Sequence, residues 1–328
     1  MRATSMWMVG LSPALAQAPL APAAAAFVPM QTTVEIFVDL AACREGDVLD
    51  DLRSSLFSGM LKRLEAQSGI DVNALDCVTV YVEMPKTKEA SDELPSQSTP
   101  GGPLGIAILA GSAALRLPPV TAELRAIEVE GREARAMRGA FGDPDLLVQI
   151  EPGLLVFGAQ SALAPRIAGS APQGLVPNEL RELFPEAGTL VRIAGFVNGP
   201  LLTSRLPPSV SPSWLPARAG LRLCTEMVEG EPVLAIELAC RQFSNADSIK
   251  QLLAALDAQL QRLAETPQTK PLHALLGKLE RGVDTDALKL RLTIGTTRDL
   301  LNVVQAVLPL FGAPPPAPPA APSNGSAR

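Results

Sequence analysis

The stretch Gly220–Cys240, GLRLCTEMVEGEPVLAIELAC, holds two runs of alternating side chains about a two-residue break. Leu221, Leu223 and Met227 share one face of the first run, with Arg222, Cys224 and Glu226 on the other. Leu234, Ile236, Leu238 and Cys240 share a face of the second run, opposite Ala235 and Glu237. A period of two is that of a strand with one buried face. A turn at Glu229–Gly230 pairs Leu223 with Ile236 and Leu221 with Leu238, and in this register the apolar faces coincide. The chain must therefore build antiparallel sheet. Pro232 lacks an N–H, so it belongs where no ladder bond is needed, as on an edge strand.

The same register separates the two cysteines. Cys224 faces away from the core beside Ala235, while Cys240 faces into it and lies about 16 Å further along the ladder. Bridged cysteines need Cα atoms within about 7 Å. No disulfide joins Cys224 to Cys240 on this reading, and no metal is shared; Cys224 reads as a half-exposed thiol. Cys43 and Cys77 are expected to stay unbridged as well. A parallel pairing of the first two strands through a helical crossover keeps them apart, and only an antiparallel pairing brings them together.

Period two recurs along the chain. Val34, Ile36, Val38 and Leu40 alternate in the first strand, and Val78, Val80 and Val82 in the second. LGIAILAG reads as a buried strand, and hairpins are expected around Glu130–Gly131 and Pro152–Gly153. GTLVRIAGF and ALKLRLTIG are further strands. Period 3.6 predicts helices over Asp47–Gln67 and behind Ser244, where Ile249, Leu252, Leu253, Leu256, Leu260 and Leu263 form a stripe. Ser244 with Asp247 makes an imperfect capping box for the second. Shorter helices are expected at Ser161–Ile167 and Leu272–Leu279, and a strongly apolar one from Thr296 or Thr297 through Leu308.

These elements predict an α+β fold of two related units, each a mainly antiparallel sheet with helices packed on one face. The division expected is 1–30, a signal-like segment and Ala/Pro linker; 31–170, the first unit with a mobile loop at 84–103; 171–186, a linker; 187–311, the second unit; and 312–328, a disordered Pro/Ala-rich tail. DPDLLVQIEPGLLVFG and DTDALKLRLTIG each run D-x-D, strand, Gly, helix, an internal echo of duplication. With 47% hydrophobic residues and 19% charged, there is ample material for a core, and an aromatic share of 4% leaves it to Leu, Val, Ile and Ala.

Residues 1–19 carry one Arg, an apolar run from Met6 to Leu11 and the small-residue end Ala16-Gln17-Ala18, the order of a secretory signal. Ser12 and Pro13 interrupt that run, and an Ala/Pro-rich leader is the other reading. The expected compartment is periplasmic or extracellular, with a cytoplasmic protein as the alternative. The chain resembles exported proteins of Gram-negative bacteria in which a strand ending like Val38–Ala42, VDLAA, opens a duplicated α+β body after a signal and an Ala/Pro linker. The resemblance implies that layout and no particular activity.

Candidate chemistry is sparse. His273 is the chain's one histidine, and it sits on the flank of its helix's Leu face, so no H-E-x-x-H zinc site is available. G-x-S-x-G, the Walker loop and G-x-G-x-x-G are all missing. Asp143 with Asp145, and Asp284 with Asp286, are the candidate ligands for a hard cation, but neither stretch supplies the remaining oxygens calcium needs, and Asp before a strand is ordinary turn chemistry. Glu226, Glu229, Glu231 and Glu237 read as a solvated strand face, and Arg192, Arg218 and Arg222 as surface arginines. A net charge of −6 without a basic patch argues against nucleic acid as partner, and no apolar run reaches the roughly 18–20 residues that span a bilayer.

The functional expectation is a non-catalytic envelope or secreted protein that binds or scaffolds, its partner an unknown protein or a small apolar ligand, with no cofactor. A carrier holding an apolar ligand between sheet and helices is the first alternative. An enzyme with an unrecognised carboxylate- or Ser-based site is the second.

Overall fold

A computed structural model describes residues 22–29, 32–45, 65, 69–83, 104–139, 143–171, 178–185, 188–197, 210–229, 231–265, 273 and 276–295. The signal-like segment, most of the predicted helix at 47–67, the loop at 84–103, the last predicted helix and the Pro-rich tail lie outside these residues.

Twelve strands form one sheet. They are β1 (Val34–Asp39), β2 (Leu75–Glu83), β3 (Leu104–Gly111), β4 (Arg125–Val129), β5 (Arg132–Met137), β6 (Asp145–Glu151), β7 (Leu154–Ala159), β8 (Thr189–Phe196), β9 (Arg218–Val228), β10 (Glu231–Arg241), β11 (Glu280–Val283) and β12 (Ala287–Gly295). The order across the sheet is β11-β12-β10-β9-β8-β1-β2-β3-β7-β6-β5-β4, and every pairing is antiparallel. Five α-helices are described in full: α1 (Pro22–Ala25), α2 (Leu40–Glu45), α3 (Gln160–Ile167), α4 (Asn178–Arg181) and α5 (Ala246–Glu265). The fold is thus α+β, mostly antiparallel sheet with few helices. Among the described residues, no helix is long and apolar enough to cross a membrane.

Turn chemistry explains the hairpins. Glu130 and Gly131 both adopt positive φ, 51° and 75°, as a two-residue turn of the twist-matching kind demands. Glu229 does the same at 53°. The β9–β10 register follows the apolar faces, with Leu223 opposite Ile236 and Leu221 opposite Leu238. Pro232 pairs with Met227 next to the turn, before the ladder between β10 and β12 begins at Leu234. The parallel crossover considered for the first two strands is not what forms. β1 and β2 pair antiparallel and set Cys77 opposite Asp39, while Cys43 lies in α2 just beyond the end of β1 and all four cysteines are free.

Helix α5 starts one residue later than Ser244 suggests. Asn245 Oδ1 accepts from the Ser248 N–H at 2.8 Å and from its hydroxyl at 3.1 Å, making Asn245 the cap. Ile249 is buried, and Leu252, Leu253 and Leu256 pack with it on Cys240, Leu288 and Leu290.

The sheet's two faces are covered differently. On the α5 face, Leu109, Leu147 and Leu155 pack with Leu40, Cys43, Ile70 and Val72. On the other face, α1 and α3 cover the β3–β7 side, where Ala24, Phe27 and Leu163 meet Ile106, Ile108, Val148 and Val156. There the segment 178–185 crosses the remaining strands as a strap, burying Leu180, Leu183 and Phe184 against Ala194 and Ala239.

Candidate functional site

One cross-strand row on the strap face changes character at the β1–β8 seam. On one side it runs through Val156, Ile108 and Thr79 to Phe37; on the other it continues through Arg192, Arg222, Glu237 and Arg291. Antiparallel pairing places those side chains directly opposite one another, within reach of their neighbours. Arg192 and Arg222 therefore face each other as like charges, and each requires a counter-charge.

Glu35 and Glu237 supply it. Arg192 Nη2 donates to Glu35 Oε1 at 2.7 Å, and the Arg192 guanidinium lies 5.5 Å from the centre of the Phe37 ring. Arg181 of α4 approaches the other Glu35 oxygen at 3.9 Å, too far for a hydrogen bond. Arg222 meets Glu237 Oε2 through Nε at 3.0 Å and Nη2 at 2.7 Å, and Lys289 reaches Glu237 Oε1 at 3.0 Å. The third Arg222 nitrogen donates to the Pro185 carbonyl of the strap at 2.6 Å. Arg218 donates to the Glu179 carbonyl at 3.2 Å, and Arg291 pairs with Glu226. The strap is thus pinned by arginines of β9 reaching its carbonyl groups.

These residues correct two sequence expectations. Arg192, Arg222 and Glu237 are 1%, 3% and 1% exposed and Arg218 is buried too, so they are neither surface arginines nor a solvated Glu face. The strap lies over them, and alternation alone does not tell a wet face from one covered by distant chain. Cys224 is likewise fully buried rather than half-exposed, on the strap face beside Ala235, while Cys240 is buried on the α5 face. Burial pushes the thiols of Cys43, Cys77, Cys224 and Cys240 up to about 11. At neutral pH they are protonated, poor nucleophiles and poor metal ligands.

The α5 face of the same strands carries the opposite pattern. Ile36, Ile193 and Leu221 stand in one row across β1, β8 and β9, and Ile193 and Leu221 are 40% and 43% exposed. Val80 and Leu238, next along that row, are only partly buried. Beyond them on β9, Met227 is exposed near the β9–β10 turn.

The predicted cation ligands are not brought together. Asp143 accepts from the Ser161 N–H at 3.0 Å and its hydroxyl at 2.5 Å, fastening the start of α3. Asp145 begins β6 opposite Met137, and burial together with Asp143 raises its carboxyl above the usual range. Asp284 accepts from the Thr285 N–H in the β11–β12 turn, and the Asp286 carbonyl accepts from Phe243 N–H at 3.4 Å. Among the described residues, no group of three or more His, Cys, Asp or Glu could hold a metal ion. His273 is half-buried, its carbonyl accepting from Gly277 N–H.

No family model matches the chain, and no curated protein matches it. Among solved structures, it is similar to crystal form IV of TP0453, with TM-score 0.43 and 13% identity over 88% of this chain and 96% of that one. Crystal form I of TP0453 gives TM-score 0.42 and 12% identity over 88% and 98%.

Proposed function

We propose that the chain is a non-catalytic binding protein of the envelope or secreted space that holds an apolar ligand on the α5 face of its central strands. The observation that carries this reading is an inversion of the ordinary pattern. A sheet with one wet face turns its polar side chains to water. Here β8 and β9 bury Arg192 and Arg222 under the strap and leave Ile193 and Leu221 open on the other face. Keeping such side chains about 40% exposed forgoes roughly 1 kcal/mol each that burial would return, and a contiguous apolar patch of this kind is how an apolar partner is met. Arg222 and Glu237 are engaged with each other and with the strap, an arrangement that fastens structure rather than presenting a reactive group.

We also read the body as two related units. Outward from the seam, β1-β2-β3-β7-β6 on one side has its counterpart in β8-β9-β10-β12-β11 on the other. Each half lays down three strands in sequence and then sets its last strand beside the third. The D-x-D echo in the sequence is one strand out of step with this reading, since it sets β6 beside β12 where the reading sets β7 beside β12, and β4 and β5 have no counterpart.

The test is native purification followed by solvent extraction and mass spectrometry, with the extract then competed against 1-N-phenylnaphthylamine. Expected is an apolar molecule in stoichiometric amount that displaces the probe. A chain that purifies empty and takes up no probe would overturn the reading.

A further inference from the structure

On the strap face, opposite the apolar stripe, four buried polar atoms of one cluster lack a hydrogen-bond partner, Arg181 Nε, Arg192 Nε, Arg192 Nη1 and Glu35 Oε2, and the Tyr81 hydroxyl beside them accepts from the Arg181 side chain. Tyr81 and Arg192 are 0% and 1% exposed. Tyr81 sits directly opposite Glu35 in the β1–β2 register, and Arg192 is bonded to that same carboxylate. Three of these four atoms are arginine donors, and the single acceptor belongs to Glu35. Two cations, Arg181 and Arg192, share Glu35, and in the adjoining cluster Arg222 and Lys289 share Glu237. Arg192 and Arg222 also face each other across β8 and β9. A buried donor without an acceptor, and a buried cation without a full counter-charge, are both costly.

We propose that this cluster is a binding site for a small oxyanion, held between α4 and strands β1, β2 and β8. Arg192 carries the site. Its Nη2 is engaged by Glu35, and its planar guanidinium leaves Nε and Nη1 to donate to a carboxylate, phosphate or sulfate oxygen. Arg181 Nε donates from the flank, and the Tyr81 hydroxyl, accepting from the Arg181 side chain, keeps its own O–H to donate. The bound anion supplies the missing negative charge, and Phe37 walls one side of the guanidinium. Because Arg181 belongs to α4, occupancy ties the strap to the sheet at its start, as Arg222 ties it at Pro185. This site lies across the sheet from Ile193 and Leu221, so it stands or falls independently of the apolar-ligand reading.

The experiment is thermal melting and titration calorimetry of the full chain with sodium phosphate, sulfate and acetate, at constant ionic strength in chloride. At least one oxyanion should raise the melting temperature saturably. Arg181→Gln, at a side chain 33% exposed, and Tyr81→Phe should each weaken that affinity tenfold or more. Lys250→Gln on exposed α5 surface should leave it unchanged. No saturable response in the parent chain, or equal responses in the parent, Arg181→Gln and Tyr81→Phe proteins, would overturn the proposal.

Discussion

Arg222 and Glu237 are paired, nearly dry and bonded on both sides, which makes each necessary only because the other is there. Removing one partner of a buried ion pair leaves a bare charge and costs about 3–5 kcal/mol, whereas apolar replacement of both is often near neutral. Glu237→Gln should therefore lower stability by about that amount in urea unfolding, and the double replacement Arg222→Met with Glu237→Leu should recover most of it. Equal losses in the single and double variants would show that the pair has another role. The four thiols make a different residue-scale prediction. Burial raises each from 9.0 to about 11 in the folded chain, so the folded state holds their protons after the unfolded state has released them. Their contribution to stability is whole below pH 9 and is lost as pH rises toward 11. The melting temperature should fall across that window, and Cys240→Ala should make the fall shallower.

At the scale of elements, the start of α5 discriminates between two caps one residue apart. Asn245→Ala should cost about 1 kcal/mol in thermal unfolding while Ser244→Ala costs little, because Asn245 alone bonds the free N–H of the first turn. Both residues are legitimate caps in sequence, and only the backbone chooses between them. The hairpins at Glu130–Gly131, Pro152–Gly153 and Glu229–Gly230 were legible because turn residues and side-chain alternation act within a dozen positions. The β9–β10 register even implied that Arg222 faces Glu237. Their burial was not legible, since it depends on the strap and on a partner such as Arg192, 157 positions from Glu35. Nothing local in a strand of alternating Leu and Arg says which face the distant chain will cover. The β1–β2 pairing stayed open for a similar reason: a helix in the connection suits a parallel crossover, and the return to an antiparallel neighbour is decided by the rest of the sheet.

Across the whole molecule, the β1–β8 seam joins the halves into a continuous sheet, with Glu35–Arg192 bonded over it. The two sides should therefore unfold in one transition by calorimetry and by circular dichroism, and a separate transition for each half would contradict a shared sheet. The larger claim is that the central strands close their charged face and keep an apolar face open for a ligand. The most direct measurement is a 1-N-phenylnaphthylamine titration of the parent chain and of Leu221→Arg, with circular dichroism to verify the fold. The account predicts saturable binding in the parent and at least a tenfold loss in Leu221→Arg with an unchanged spectrum. Equal binding by both proteins would contradict it.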